Sequence, residues 1–242
     1  MAEAGENLRG DSRPRRRLPG DGRSRSGVSD PVIQLCRERR FASGYHRDCF
    51  VHPGNESRCI KVSRGGDHRE TMRETEYYEH LERREIPWDL IPKCHGYVET
   101  SLGPGAVFDL VRDADGKIAK PLGHYLSSPR LAEKHRFGLA EALAALRRYL
   151  IDHRIVIRTL KAKNLVYRVV TPEEGRLYIV DNIGNTDLIP VETHIRLFAV
   201  RKINRKWPRF ERDLLADFAD NPHVAGIVAK ARRAFGCKES AG

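Results

Sequence analysis

Ile157-Arg158-Thr159-Leu160-Lys161-Ala162-Lys163-Asn164-Leu165-Val166 is the stretch on which the reading of this chain turns. The clearest helical pattern in the sequence precedes it. Across residues 131–153, Leu139, Leu143, Leu146 and Leu150 follow the 3.6-residue period, and Ala140, Ala142, Ala144 and Ala145 raise helix propensity. A hairpin signature follows it, because apolar residues 165–170 and 177–180 flank Thr171-Pro172-Glu173-Glu174-Gly175. The stretch is therefore a polar loop held between a long helix and a hairpin. Seventeen positions after Asn164, at the end of that hairpin, comes Ile179-Val180-Asp181-Asn182-Ile183-Gly184.

The loop resembles a protein-kinase catalytic loop aligned without a gap. Arg158, Leu160, Lys161 and Asn164 fall on pattern positions, and Thr159 stands where the catalytic aspartate belongs. The later stretch resembles the metal-binding Asp-Phe-Gly segment with one residue inserted, which makes Asp181 its acidic residue.

Working outward toward the N-terminus, residues 41–51 read as a strand, a turn at Gly44 and a second strand. His52-Pro53-Gly54-Asn55 is dense in turn formers, and residues 59–63 resume an extended pattern, giving a three-stranded antiparallel start. A helix is expected from about His68 to Arg83, with Glu74, Tyr77 or Tyr78, and Leu81 on one face. Two more strands fit residues 95–100 and 106–111, joined at Gly103-Pro104-Gly105, and Asp113-Ala114-Asp115-Gly116 marks a further turn. Basic helical segments from about 191 to 233 close the chain.

That order is the order of a kinase-like α+β fold, and it assigns chemistry to four residues. Phosphoryl transfer is mostly positioning and charge neutralisation, so it needs few residue types at fixed places. Arg58-Cys59-Ile60-Lys61 resembles the strand that supplies the phosphate-holding lysine, and Glu74 is the helix carboxylate to pair with Lys61. Asn164 and Asp181 offer the hard oxygen ligands that suit magnesium. The glycine-rich loop is thin: only Gly44 stands on its pattern, with His46 and Arg47 as alternative sources of positive charge. The adenine edge is expected to meet backbone near residues 108–111. Thr159 is no general base near neutral pH. Either nucleotide is bound and read as a signal, or transfer runs through another carboxylate such as Asp181 or Asp187.

Composition narrows the remaining classes. At 242 residues, with 40% hydrophobic and 32% charged residues, the chain is long enough for one large domain or two small lobes. No run of ~18 apolar residues suggests a membrane span. The first thirty residues, with Arg13, Arg15, Arg16 and Arg17 among many Gly, Ser and Asp, lack the apolar stretch of a secretory signal and suit a disordered basic arm. A start site further downstream is the alternative. The five cysteines are scattered without a C-x-x-C pair, which argues against a thiolate metal site and for reduced thiols in a cytoplasm. The net charge of +11 concentrates at residues 196–212, where Arg196, Arg201, Lys202, Arg205, Lys206, Arg209 and Arg212 face only Glu211. A solvated helix face accounts for this better than a nucleic-acid interface does.

Several blocks in order resemble the YrbL family, named for a PhoP regulatory network protein of bacteria. They are Gly44-Tyr45-His46-Arg47-Asp48-Cys49-Phe50-Val51-His52-Pro53, Cys59-Ile60-Lys61, Arg73-Glu74-Thr75-Glu76-Tyr77-Tyr78, Gly96-Tyr97-Val98-Glu99-Thr100, Leu160-Lys161-Ala162-Lys163-Asn164-Leu165 and Asp181-Asn182-Ile183-Gly184. Ala162 departs from a proline expected in that loop. The resemblance implies a cytoplasmic bacterial protein of kinase-like fold, acting in a regulatory response to magnesium or envelope stress. It says nothing about the basic arm.

The expectation is thus a bilobal, protein-kinase-like α+β fold. Residues 1–30 form a basic arm, 31–112 an N-terminal antiparallel sheet with one helix, 113–235 a reduced and mostly helical C-terminal lobe, and 236–242 a flexible tail. ATP and Mg2+ are the cofactors that the resemblance implies. Gly44, Lys61, Glu74, Asn164 and Asp181 would bind the nucleotide, Asn164 and Asp181 the metal, with Asp181 and Lys61 closest to the chemistry. The acceptor or regulatory protein partner is left open. The alternative is a pseudokinase, a nucleotide-sensing or scaffolding module. Fewer than sixty residues follow Gly184 and no Ala-Pro-Glu segment is present, which argues against a large protein substrate.

Overall fold

The computed structural model describes residues 31–44, 46–64, 69–184 and 195–239. The arm before Pro31, Tyr45, His68 and Asp187 lie outside them. The chain divides into Met1–Pro31 and Val32–Gly242, and every element named below falls in the second unit.

Strands β1 (Arg40–Ser43), β2 (Arg47–His52) and β3 (Asn55–Ser63) form the antiparallel start read from the sequence. With β4 (Cys94–Thr100) and β5 (Gly103–Asp109) they make a five-stranded sheet in the order β1-β2-β3-β5-β4. Register aligns Cys49, Lys61, Ala106 and Tyr97 in one row, so these side chains share one face. Phe50, Ile60 and Val107 occupy the next row and point the other way, forming with Val62 a small cluster covered by Ile33, Leu35 and Val98. Ile33 is tied to the end of β4: its N–H donates to Glu99 O at 2.8 Å and its O accepts from Ser101 N at 3.0 Å.

Helix α1 (Arg69–Arg83) connects β3 to β4. Its Glu74, Tyr78 and Leu81 are buried together, the face that their spacing predicts. Tyr78 stacks on Trp88 at 5.8 Å and meets Phe108 edge-on at 5.3 Å, fastening the helix beneath the sheet. Ring pairs of this kind contribute about 0.5–1.5 kcal/mol beyond the area they bury.

Two expectations need correction. Gly103-Pro104-Gly105 is not the β4–β5 turn but the first half of β5. The chain reverses at Ser101-Leu102, where Thr100 Oγ1 donates to Gly103 O at 2.5 Å and accepts from Leu102 N at 3.2 Å. Gly105 is needed for packing: a Cβ there would lie 2.5 Å from the Ile60 methyl group. The long helical pattern is likewise broken, into α3 (Pro129–Lys134) and α4 (Arg136–Asp152), after the short β6 (Lys120–Pro121) and α2 (Leu122–Leu126). His135, at φ −106 and ψ 13, leaves helical geometry between α3 and α4. Its ring is buried, with Nδ1 3.1 Å from Pro172 O and edge contacts to Tyr125 and Tyr167. Satisfying that buried ring separates two helices whose apolar period runs on uninterrupted.

The hairpin is present as β7 (Leu165–Val169) and β8 (Gly175–Ile179), with β6 pairing on the free side of β7. Tyr167 of β7 is fully buried, and its ring fits only because residues 138 and 175 are glycines. Helices α5 (Ile195–Asp217) and α6 (Val224–Glu239) close the chain, so residues 236–239 of the expected tail are helical. On α5, Ala199, Ile203, Trp207, Phe210 and Leu214 are buried, whereas Arg201, Arg205, Arg209 and Arg212 are exposed. A single apolar cluster runs from Cys59, Leu81 and Phe108 through Leu139, Leu146 and Leu150 to Trp207 and Ile227. The fold is α+β, with the element order expected from the sequence: an antiparallel sheet carrying one helix, then a mostly helical part with a small second sheet.

Candidate functional site

Lys61 sits near the end of β3, in register with Cys49 and Ala106, on the face from which its amine reaches Glu74 of α1. Both are almost fully buried, at 7% and 6% exposure. The Lys61 amine lies 3.9 Å from Glu74 Oε1 and 4.2 Å from the centroid of the Phe108 ring, and donates to Val180 O at 2.5 Å.

The backbone of Val180 also receives Asn164. A one-turn 3-10 helix, Ala162–Asn164, ends the loop and buries Asn164, whose carbonyl accepts from Val180 N at 3.0 Å. The Asn164 side-chain Nδ2 donates to Thr159 O at 3.4 Å, so the amide nitrogen is turned back into its own loop. Asp181 comes next in the chain, with its side chain 39% exposed and Oδ1 accepting from Asn182 N at 2.8 Å. Lys61 and the Asn164 carbonyl thus both bond the Val180 peptide, Asp181 follows it in the chain, and Glu74 joins the group through Lys61. Gly44 stands at the turn before β2, its N–H donating to Arg47 O at 2.7 Å.

Arg47 of β2 completes the group, and nothing in its sequence context marks it out beyond its charge. Its guanidinium donates from Nη1 to Glu74 Oε2 and from Nη2 to Asp181 Oδ1, with only 12% of the side chain exposed. Burial works against the Arg47 charge, but Glu74 and Asp181 more than offset it and raise its pKa. Burial alone would raise the Asp181 carboxyl, and Lys61, Arg47, the Asn182 amide and Arg158 together hold it below its ordinary value. Cys49, across from Lys61, is pushed up by burial despite the Lys61 and Arg47 charges, so it is a thiol at neutral pH. Glu74 Oε1 is buried without a hydrogen-bond partner, because Lys61 is drawn to Val180 O and Arg47 takes the other oxygen.

The loop that carries Thr159 is fixed from several sides. Ile157 bridges Ile183, Arg158 N donates to Asn182 O at 2.9 Å, and Gly184 N donates to Val156 O at 2.9 Å. Tyr77 of α1 accepts from Val156 N at 2.8 Å. Gly184, at φ +108, lies under the Tyr77 ring, where a Cβ would approach to 3.3 Å. From α5, Lys206 Nζ donates to Ile157 O at 2.7 Å and to Arg158 O. Burial, followed by Lys202, Arg205 and Arg158, brings the Lys206 pKa down to about 8. Thr159 itself is exposed.

Two features bear on the expected ligands. Among the described residues no three His, Cys, Asp or Glu side chains converge on a metal position. Asn164 and Asp181 supply two hard oxygens, the donor set that suits magnesium where substrate phosphates complete the shell. Near residues 108–111, the amides of Asp109 and Leu110 already donate to Lys93 O at 3.0 Å and Ser57 O at 2.8 Å. An adenine edge therefore has to use other groups of that stretch.

No helix of the described residues is long and apolar enough to cross a membrane. The family described as "PhoP regulatory network protein YrbL" matches residues 33–215. "Uncharacterized protein YrbL" of Escherichia coli (strain K12) is 39% identical over 183 residues, covering 74% of this chain and 86% of that protein. The protein of the same description from Shigella flexneri matches at 39% over 183 residues as well. A crystal structure described as a kinase domain superposes with a TM-score of 0.44 at 13% identity, over 64% of this chain and 53% of that one. On the family match and the two relatives, this chain belongs to the family of the PhoP regulatory network protein YrbL.

Proposed function

We propose that this chain is an atypical kinase-like protein that binds ATP with magnesium beneath its five-stranded sheet. The observation that carries the proposal is the bonding of both Lys61 and the Asn164 backbone to the Val180 peptide, with Asp181 next in the chain and Glu74 paired to Lys61. Lys61 holds the polyphosphate, Glu74 orients Lys61, and Asn164 and Asp181 present oxygens to the metal. Bound magnesium supplies charge neutralisation at the phosphates. Burial of Lys61 and Glu74 keeps water from screening their attraction.

ATP with magnesium at millimolar concentration is expected to raise the unfolding temperature of the purified protein. Lys61→Ala and Asp181→Ala should each remove that shift while leaving the far-ultraviolet circular dichroism unchanged. A wild-type protein that shows no shift at all would overturn the proposal.

Sensing rather than transfer is the second reading, favoured by the loop itself. Thr159 offers a hydroxyl where a base is required, and Asp181, held below its ordinary pKa and paired with Arg47, is a weak proton acceptor. Detection of phosphate transfer that Asp181→Asn abolishes would exclude this second reading.

A further inference from the structure

Arg47 fills the position between the helix carboxylate and the metal-side carboxylate. Its two N–H groups reach Glu74 and Asp181 at once, tying α1 to the segment that follows β8. The same segment holds Lys61 away from Glu74, at 2.5 Å from Val180 O against 3.9 Å from Glu74 Oε1, and leaves that Glu74 oxygen buried without a donor. That oxygen keeps only the longer ion-pair contact to Lys61, so Arg47 is the hydrogen-bonded cation of both carboxylates. Arg47 and Lys61 stand against Glu74 and Asp181 here, and Arg158 adds its positive charge to the field at Asp181.

We infer that Arg47 is a resident counter-ion for Asp181, which a divalent cation must displace before it can bind there. On the nucleotide-and-magnesium reading proposed above, on which this inference rests, the guanidinium acts as a latch. It closes the site electrostatically while the site is empty and leaves Asp181 when the cation enters. The fork geometry of arginine is what allows one side chain to satisfy both carboxylates; a lysine in its place reaches one of them only. The cation therefore meets a binding-competent state that is populated only in part, which weakens its apparent affinity in proportion.

The test measures binding of Mn2+ alone, by water-proton relaxation, to wild type, Arg47→Gln, Arg47→Lys and Asp181→Asn, with a fluorescent ATP analogue titrated into the same samples. A latch that holds the empty site closed nine times in ten predicts about ten-fold tighter Mn2+ binding to Arg47→Gln than to wild type. Arg47→Lys should fall between the two, and it preserves the test should the glutamine variant not fold. Asp181→Asn should lose Mn2+. Unchanged or weaker Mn2+ binding in both Arg47 variants, with nucleotide still bound by wild type, overturns the latch and leaves the nucleotide reading standing. Absence of both Mn2+ and nucleotide binding in every protein overturns the two together.

Discussion

Arg47 and Asp181 lie 134 residues apart in the chain and are joined side chain to side chain, with Glu74 on the other arm of the guanidinium. The contact fastens the second strand, the first helix and the end of the hairpin at one point. Glu74 is only 6% exposed, so removing Arg47 leaves a buried carboxylate with Lys61, at 3.9 Å, as its remaining ion-pair partner. Loss of one partner from a buried ion pair costs about 3–5 kcal/mol. Arg47→Met is therefore expected to lower stability by about 3 kcal/mol, the low end of that range because Lys61 remains nearby. Adding Glu74→Gln to the same chain should recover at least half of the loss. Urea unfolding of the two variants checks this, and a double variant no more stable than the single one would refute it.

Asp181 also sets an acid limit on this corner of the fold. Its carboxyl is held below the ordinary value of 3.8 in the folded chain, so it binds its proton less tightly folded than unfolded. The stability it contributes is complete above 3.8 and is lost as pH falls through the lower folded value. Wild type should therefore lose stability over that acid range relative to Asp181→Asn, whose unfolding midpoint should be flatter with pH. Parallel pH profiles for the two proteins would contradict the assignment.

Lys206 behaves in the opposite sense. It is half-buried beside Lys202, Arg205 and Arg158, and its pKa is brought down to about 8 from an ordinary 10.5. The unfolded chain binds this proton more tightly, so stability rises with pH through that window, and the rise disappears in Lys206→Met. Competitive acetylation followed by peptide mass spectrometry offers a second check. The reactivity of Lys206 should turn over near 8, well below that of the exposed lysines.

Gly138 and Gly175 both sit against the phenol end of Tyr167. A Cβ at residue 175 would lie 2.3 Å from Tyr167 Cζ and one at residue 138 would lie 2.3 Å from its Oη. Overpacking of a tight core costs about 1–3 kcal/mol, so Gly175→Ala should destabilise by that amount in chemical denaturation. Tyr167→Leu in the same chain should relieve part of it. An alanine tolerated without change would mean that the ring moves freely, contrary to its complete burial.

Much of this was legible in the sequence, and the rest was hidden for identifiable reasons. The face of α1 was readable because Glu74, Tyr78 and Leu81 repeat at helical spacing, and a carboxylate among apolar neighbours stands out. Lys61 was singled out by the resemblance of Arg58-Cys59-Ile60-Lys61 to a strand that ends on a phosphate-holding lysine. The break at His135 was not, because the apolar period of α3 and α4 runs through it and only the buried ring, bound near Pro172 O, distinguishes the residue. The true β4–β5 turn was masked by Gly105, which makes room for Ile60, and by Gly103, which takes φ +98 at the start of β5. Arg47 was visible only as a charge near a turn, since its partners come from elements that meet only in three dimensions. Lys206 was one cation among many in a basic segment. Its distinction is that it points inward to the carbonyls of Ile157 and Arg158.

That inward lysine bears on whether the site can be made to transfer phosphate. The Thr159 carbonyl is held by Asn164, the preceding carbonyls by Lys206, and the Thr159 side chain is exposed. An aspartate could therefore replace Thr159 without repacking the loop, restoring a general base at the position where kinase-like loops carry one. A positioned base contributes about 10²–10⁴-fold to a proton-transfer step. Thr159→Asp should raise ATP hydrolysis or autophosphorylation at least about a hundred-fold over wild type, while Thr159→Asn, matched in shape but not basic, should leave it unchanged. Phosphate release and incorporated label, measured beside nucleotide affinity, give the answer. If Thr159→Asp binds nucleotide as wild type does and still transfers nothing, the missing base is not what limits this site, and the sensing reading becomes the one to pursue.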